Sequence, residues 1–144
     1  MTEVKEKLFN GMTIPEVAMD SMNVTHHEEA ALVAGLNVLV ERQQAGESLE
    51  AEIDAQLEEW LAHTQAHFSR ENDMMIEHGF PPYPVHRSVH DEALELLASQ
   101  LQQWKESRDI EVLAQYVQKA WPEWYVQHIS SMDYITAQFL SQKM

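Results

Sequence analysis

Two short stretches, His67-Phe68-Ser69-Arg70-Glu71 and His86-Arg87-Ser88-Val89-His90, decide both the fold and the chemistry of this chain. In each stretch two potential metal ligands lie four residues apart, which places them one turn apart on one face of an α-helix. Both pairs fall on or beside an apolar stripe with helical spacing. Ionisable side chains that face a core are costly unless they are paired or bind a metal. We therefore expect two helices that point metal ligands into a shared core.

Glycine and proline divide the chain into four predicted helices. Only four glycines and five prolines occur in 144 residues, and the stretches between them are rich in good helix formers. No period-2 alternation or hairpin dipeptide indicates a strand. The predicted helices are one that ends at residue 45, then residues 48–78, 85–106 and 110–142.

Several residues predict where these helices begin and end. Thr13-Ile14-Pro15-Glu16 has the pattern of a capping box, so the first helix begins either there or nearer Asp20. Gly46 is the expected C′ residue of the first helix, and Ser48 is the expected N-cap of the second. Phe80-Pro81-Pro82-Tyr83-Pro84 predicts a rigid connector before the third helix.

The fourth predicted helix contains Pro122, which predicts a kink or a locally unpaired carbonyl near Gln118. Its predicted inward stripe is Leu113, Tyr116, Val117, Ala120, Trp124, Ile129 and Ile135. Short connections favour antiparallel neighbours, so the fold class is all-α, an up-down-up-down four-helix bundle with the metal site in its core. We expect residues 1–144 to form one domain, with residues 1–13 as an irregular N-terminal arm.

Composition excludes several functions. The chain has no cysteine, which rules out disulfides, zinc–thiolate sites and thiol nucleophiles. Its 24 acidic and 9 basic residues give a formal charge of −15, which argues against nucleic acid and anionic membranes as partners. The N-terminus lacks a signal-peptide pattern, and the longest apolar stretch, residues 30–36, is too short to span a bilayer. We expect a cytoplasmic protein, and no protein partner can be predicted.

The remaining ligand candidates are less regular. His26 and His27 are adjacent on the first helix, so only one of them can point inward. His128 and Asp133 lie five residues apart on the fourth, a separation that turns about 140° around an α-helix axis. These two side chains therefore do not share one α-helical stripe, although they could flank a site. Imidazole and carboxylate donors suit iron, zinc or manganese, and the spacing alone leaves the choice open.

The combined pattern resembles the hemerythrin family of HHE cation-binding domains. The resemblance lies in Met22-Asn23-Val24-Thr25-His26, His67-x-x-x-Glu71, His86-x-x-x-His90 and His128-x-x-x-x-Asp133, with fifteen residues from Glu71 to His86. It implies two iron ions joined by an oxo or hydroxo group. One iron would be held by His26 and His67, and the other by His86, His90 and His128. Glu71 and Asp133 would bridge them, and the iron with two histidines would keep an open position for dioxygen.

The surroundings of the implied open position agree only partly with oxygen-carrying members of the family. Phe68, Trp124 and Ile129 match the apolar wall that the resemblance implies. Glu29 and Tyr125 stand where the carriers place aliphatic residues. Glu29 could ligate iron, relay protons or simply turn outward, and Tyr125 could bond to a bound ligand or pack at a boundary. His63, one turn before His67, is a candidate partner of the site, alternative ligand or half of a buried polar pair.

The resemblance predicts a di-iron protein that binds dioxygen or a related small diatomic for storage or sensing, and we assign no catalytic residue. Glu29 and Tyr125 keep a second hypothesis open, an oxidase or peroxidase that reduces oxygen or peroxide at the same site. A third hypothesis is a regulatory or interaction module that the metal only stabilises.

Overall fold

The computed structural model describes residues 13–144 and shows six α-helices and two π-helical segments in that range. Their bounds are α1 Asp20–Gln44, α2 Glu50–Glu77, α3 Tyr83–Ser107, α4 Ile110–Gln115, α5 Trp121–His128 and α6 Tyr134–Lys143. The π segments Tyr116–Ala120 (π1) and Ile129–Asp133 (π2) join α4, α5 and α6 into one continuous rod. The predicted antiparallel bundle of four helices is confirmed. The predicted arm, residues 1–13, lies outside the described residues except for Thr13.

The helix ends agree with the sequence in part. The first helix begins at Asp20, not at the capping-box pattern, and Gly46 follows its C-cap with a φ of 111°. The prediction that Ser48 caps the second helix is wrong, because Leu49 occupies the N-cap position without a side-chain bond. The third helix begins at Tyr83, two residues before the predicted start, since proline is tolerated in a first helical turn.

Asn23 fixes the entry to the first helix. Its side-chain oxygen accepts a hydrogen bond from Val17 N–H at 2.9 Å, and its amide donates to the Val17 carbonyl at 3.0 Å. The segment before α1 is thereby held against the bundle, where Ile14 and Val17 are buried in the core. This bracing lies one turn from His26.

Pro122 is accommodated by π1 rather than by an isolated break. At its end, Trp121 N–H donates to the carbonyl of Tyr116, five residues earlier, so the backbone stays hydrogen-bonded up to the proline. Each π turn takes an extra residue, which shifts every later side chain around the rod. The predicted inward positions of Ala120 and Ile135 are therefore wrong: both are exposed, Ile135 by 58%. Trp121 and Thr136 are buried in their place.

Candidate metal centre

All seven predicted ligands lie buried inside the bundle, none more than 4% exposed. All four rods of the bundle contribute ligands: α1, α2, α3, and the fourth rod through α5 and the end of π2. Their ligand atoms form two groups in which every atom lies within 4.8 Å of the others. The first group is His26, His67 and Glu71, and the second is His86, His90, His128 and Asp133. The chain thus carries two adjacent buried His/carboxylate metal-binding groups.

The two carboxylates lie between the two groups of histidines. Glu71 Oε2 is 2.7 Å from His67 Nε2, whereas its Oε1 is 3.2 Å from His90 Nε2. Asp133 divides its oxygens in the same way, with Oδ2 at 2.9 Å from His26 Nε2 and Oδ1 at 3.1 Å from His86 Nε2. Each carboxylate therefore presents one oxygen to each group, which is the arrangement that a bridging ligand requires.

The second π segment explains why His128 and Asp133 can serve one site. An α-helix would separate side chains five residues apart by about 140°, but π2 spans Ile129–Asp133 between them. Hydrogen bonds of the i→i+5 type bring residues with this spacing onto one face. As a result, His128 Nε2 lies 3.1 Å from Asp133 Oδ1.

Three of the histidines are oriented by acceptors on their outer ring nitrogen. His67 Nδ1–H donates to Glu29 Oε1 at 3.0 Å. His86 Nδ1 is 2.8 Å from the Thr136 hydroxyl, and His90 Nδ1–H donates to the amide oxygen of Asn72 at 2.9 Å. An acceptor on Nδ1 leaves the Nε2 lone pair for the centre of the site, as is usual for histidines that bind metals.

Several buried polar atoms at the centre lack a partner that a bound cation would supply. Glu71 Oε1, His90 Nε2 and Asp133 Oδ1 are buried without a well-directed hydrogen bond among the described residues. His86 Nε2 and His128 Nε2 face each other at 3.3 Å, where two protonated nitrogens would repel. Buried polar atoms of this kind are costly unless a ligand satisfies them. The nitrogen and oxygen donors thus fit iron, and no thiolate is present.

Charge pairing keeps the buried carboxylates ionised. Burial and the negative charge of Asp133 both raise the pKa of Glu71. The neighbouring histidines outweigh them and lower the pKa of Glu71 to about 2. Burial also raises the pKa of Asp133, but His128, His26 and His86 hold it well below its usual value. Conversely, burial lowers the pKa of His67 while Glu71 and Glu29 raise it well above normal. Without a metal, the site is therefore held together by mixed ion pairs.

The predicted apolar neighbours pack on the ligand rings. Phe68 stacks on His90 with ring centroids 3.9 Å apart and planes within 5°. Trp124 stacks on His128 at 4.8 Å, and Ile129 is fully buried. These side chains restrain the rings and keep water from them.

The structure shows where Glu29, His63 and Tyr125 lie. Glu29 is buried rather than turned outward, and its Oε1 also accepts from His63 Nδ1 at 3.2 Å. His63 is thus the half-buried partner of a polar pair and belongs to neither group of ligand atoms. The Tyr125 hydroxyl is fully buried, not at a boundary, and donates to the His26 carbonyl at 2.8 Å. Burial, followed by the nearby carboxylates, raises the Tyr125 pKa well above its usual value.

His26, not His27, points into the site. His26 is completely buried, whereas the side chain of His27 is 26% exposed and lies 3.8 Å from Glu16. Asn72 and Thr136 are contributors to the site that sequence reasoning missed. The preference of metal-bound histidines for an outer acceptor predicts such residues in general. Asn72 and His90 lie on different helices, so residue spacing could not pair them. Thr136 follows π2, which shifts it out of the stripe that regular α-helical spacing predicts.

Two cavities lie beside the site. One, of about 240 Å³, is walled mainly by apolar and aromatic side chains, including Phe68, Trp121 and Trp124, and Glu29 lines it as well. The other, of about 280 Å³, touches His67 and Glu71 and is lined by Met22, Met74 and several polar residues. The second cavity is therefore lined by two members of the two-histidine group. The first meets the site through Glu29, which contacts His67, and through Phe68 and Trp124, which stack on His90 and His128.

Together these features define a bundle of four helices that carries paired His/carboxylate cation sites. A model of the hemerythrin HHE cation-binding domain matches residues 17–140, and the chain belongs to that family. It is 33% identical over 94 residues to a bacteriohemerythrin of Ralstonia nicotianae, covering 65% of this chain and 67% of that protein. A bacteriohemerythrin of Aquifex aeolicus is 28% identical over 119 residues, covering 83% and 87% of the two chains.

No solved structure matches the chain at a significant level. Within residues 13–144, every helix is too short or too polar to cross a membrane.

Proposed function

We propose that the centre holds two iron ions and binds dioxygen or a related small diatomic. In this proposal His26 and His67 hold one iron, His86, His90 and His128 hold the other, and Glu71 and Asp133 bridge them. The single observation that carries it is that each carboxylate divides its oxygens between the two groups of histidines. When bound, the irons supply the electrons that dioxygen accepts on reversible binding.

The two groups contain unequal numbers of histidines, so their metals would differ in coordination. The group of His26 and His67 offers one nitrogen ligand fewer than the other group, so this is where an external ligand would bind. The cavity of about 280 Å³ is lined by His67 and Glu71 of this group, and Phe68 lies against His67 with ring centroids 5.0 Å apart. The chain's own contribution is to orient the imidazoles, fix the two bridges and exclude water. The bacteriohemerythrin relatives support this reading.

The test is the visible spectrum of the iron-loaded protein as oxygen is added and removed. The reduced protein should be colourless, develop an absorption band in air and lose it again under vacuum. A protein whose spectrum does not respond to oxygen, nitric oxide or peroxide would contradict the proposal. The reversal under vacuum is the part that identifies binding rather than consumption of oxygen.

A second candidate, an oxidase or peroxidase at the same centre, is favoured by one observation. Glu29 places a third buried carboxylate against His67, where the oxygen carriers have an aliphatic residue. Rapid mixing with oxygen separates the two functions. Immediate and permanent oxidation of the iron, with release of peroxide or water, would support the enzyme, and a band that is lost under vacuum would support binding.

A further inference from the structure

Glu29 is held between two histidines deep in the bundle. It follows His26 by one turn of α1, and its side chain is only 1% exposed. One oxygen, Oε1, accepts from His67 Nδ1–H at 3.0 Å and from His63 Nδ1–H at 3.2 Å. A buried carboxylate whose oxygen accepts two N–H hydrogen bonds is in a setting that favours its anionic form.

This carboxylate faces the outer side of His67 and not the centre of the site. Its contact is with Nδ1, whereas Nε2 of the same ring is 2.7 Å from Glu71. Glu29 is also absent from both groups of convergent ligand atoms among residues 13–144. It therefore acts through His67 and does not itself coordinate.

The charge of this acceptor distinguishes the two halves of the centre. In the group of three histidines, the acceptors that orient His86 and His90 are neutral, the Thr136 hydroxyl and the Asn72 amide. In the two-histidine group, by contrast, the acceptor that orients His67 is the carboxylate of Glu29. An anionic acceptor makes the ring a stronger donor and adds a buried negative charge close to the cation. That charge stabilises a higher cationic charge more than a lower one.

We propose that Glu29 is a positioning residue of the two-histidine group, which tightens the hold of that group on its metal and stabilises the metal in its higher oxidation state. This inference rests on the proposed two-metal centre. It has a functional consequence, because a centre biased toward the oxidised state gives up electrons more readily than a reversible carrier does. Glu29 would thereby move this chain from oxygen storage toward oxygen reduction.

The test uses Glu29→Gln and Glu29→Leu in the full chain, with Glu28→Gln as the matched control. Glu28 is the neighbouring residue, its side chain is 60% exposed, and its Oε1 lies 3.8 Å from His63 Nε2. Its substitution therefore removes the same charge from the surface without removing the acceptor of His67. The glutamine keeps an acceptor oxygen and loses the charge, whereas the leucine loses both. Glu29→Gln therefore isolates the charge. If it fails to fold, Glu29→Leu still tests whether the charge and the acceptor together act on the metal.

Metal-free protein is titrated with Co²⁺, which reports coordination without oxygen chemistry, and the midpoint potential of the iron-loaded protein is measured separately. We expect the weaker of two Co²⁺ affinities to fall by about 10- to 100-fold in Glu29→Leu and less in Glu29→Gln. The midpoint potential should become more positive in both, and Glu28→Gln should match the parent. Unchanged affinity and potential in both Glu29 variants would overturn the inference. A parent that binds a single Co²⁺ would instead overturn the two-metal centre on which it rests.

Discussion

His128 Nε2 lies 3.1 Å from Asp133 Oδ1 although five residues separate the two side chains along one helix. The π segment between them makes this possible, because its wider turn returns to the same face after five residues rather than after three or four. The helix is thus π-helical, not α-helical, where its histidine and its carboxylate point into the same site.

Inserting an alanine after Ser131 in π2 should rotate Asp133 and Thr136 away from the centre, because six residues exceed both an α turn and a π turn. We expect metal content to fall for both groups, because Asp133 contacts both. Deleting Ser131, which is exposed, serves as the matched control. It leaves His128 and Asp133 four residues apart, a spacing that an ordinary α-helix places on one face, so metal should be retained. Full metal content in the insertion variant, measured by elemental analysis, would show that the spacing is not needed.

His26→Ala and His27→Ala should differ sharply although the residues are neighbours. Loss of His26 removes one of two histidines from its group, so one metal per chain should be lost or bound at least about 10-fold more weakly. His27 lies outside both groups, so its substitution should leave both metals in place. Competition with a chelator measures the affinities. Metal loss confined to His27→Ala would reverse the assignment.

Phe68→Ala should destabilise the protein and expose the centre. The ring is 2% exposed and stacks on His90, so its removal leaves a cavity that costs about 3–5 kcal/mol. Ile76, on the same helix but 57% exposed, provides the matched control, and Ile76→Ala should change stability by less than about 0.5 kcal/mol. Urea unfolding gives the stabilities. The Phe68 variant should also oxidise permanently in air faster than the parent, and an equal rate would argue against a role in excluding water.

The metal-free protein should be most stable between about pH 4.5 and 6.5. The pKa values of Glu29 and Glu71 are lowered to about 2, so their contribution is complete above pH 4.5 and is lost as the pH falls toward 2. The pKa values of His67 and His128 are raised, so their contribution is complete below pH 6.5 and declines above it. Burial lowers the pKa of His90, so His90 reduces stability as the pH falls below 6.5 and adds no pH dependence above it.

Thermal unfolding across this pH range tests the prediction. Bound metal should remove the alkaline decline, because metal needs the histidines deprotonated. A metal-free protein that becomes steadily more stable from pH 4.5 to well above pH 6.5 would contradict the assigned ion pairs.

The sequence predicted the parts of the site that depend on α-helical spacing. His67 with Glu71 and His86 with His90 could be found because one turn separates each pair, and the family resemblance supplied His26 and Asp133. Phe68 lies on the apolar stripe of the second predicted helix, and Trp124 lies on that of the fourth. These features are local, so a single sequence carries them.

The features that could not be predicted depend on contacts across the bundle or on irregular helix geometry. Two π turns displaced Ala120 and Ile135 from the core and brought Thr136 into it. Asn72 and Glu29 contact histidines on other helices, and residue spacing along the chain does not predict contacts between helices. Tyr125 was predicted near the site, but its bond to the His26 carbonyl depends on the packing of α5 against α1.

The number of metal ions per chain tests the central claim most directly. Metal-free protein is loaded with Fe²⁺ without oxygen, freed of excess metal and analysed for iron and protein. Two groups joined by Glu71 and Asp133 predict two irons per chain, with one lost selectively in His26→Ala. One iron or fewer in the parent, under conditions in which the fold is intact, would contradict a two-metal centre.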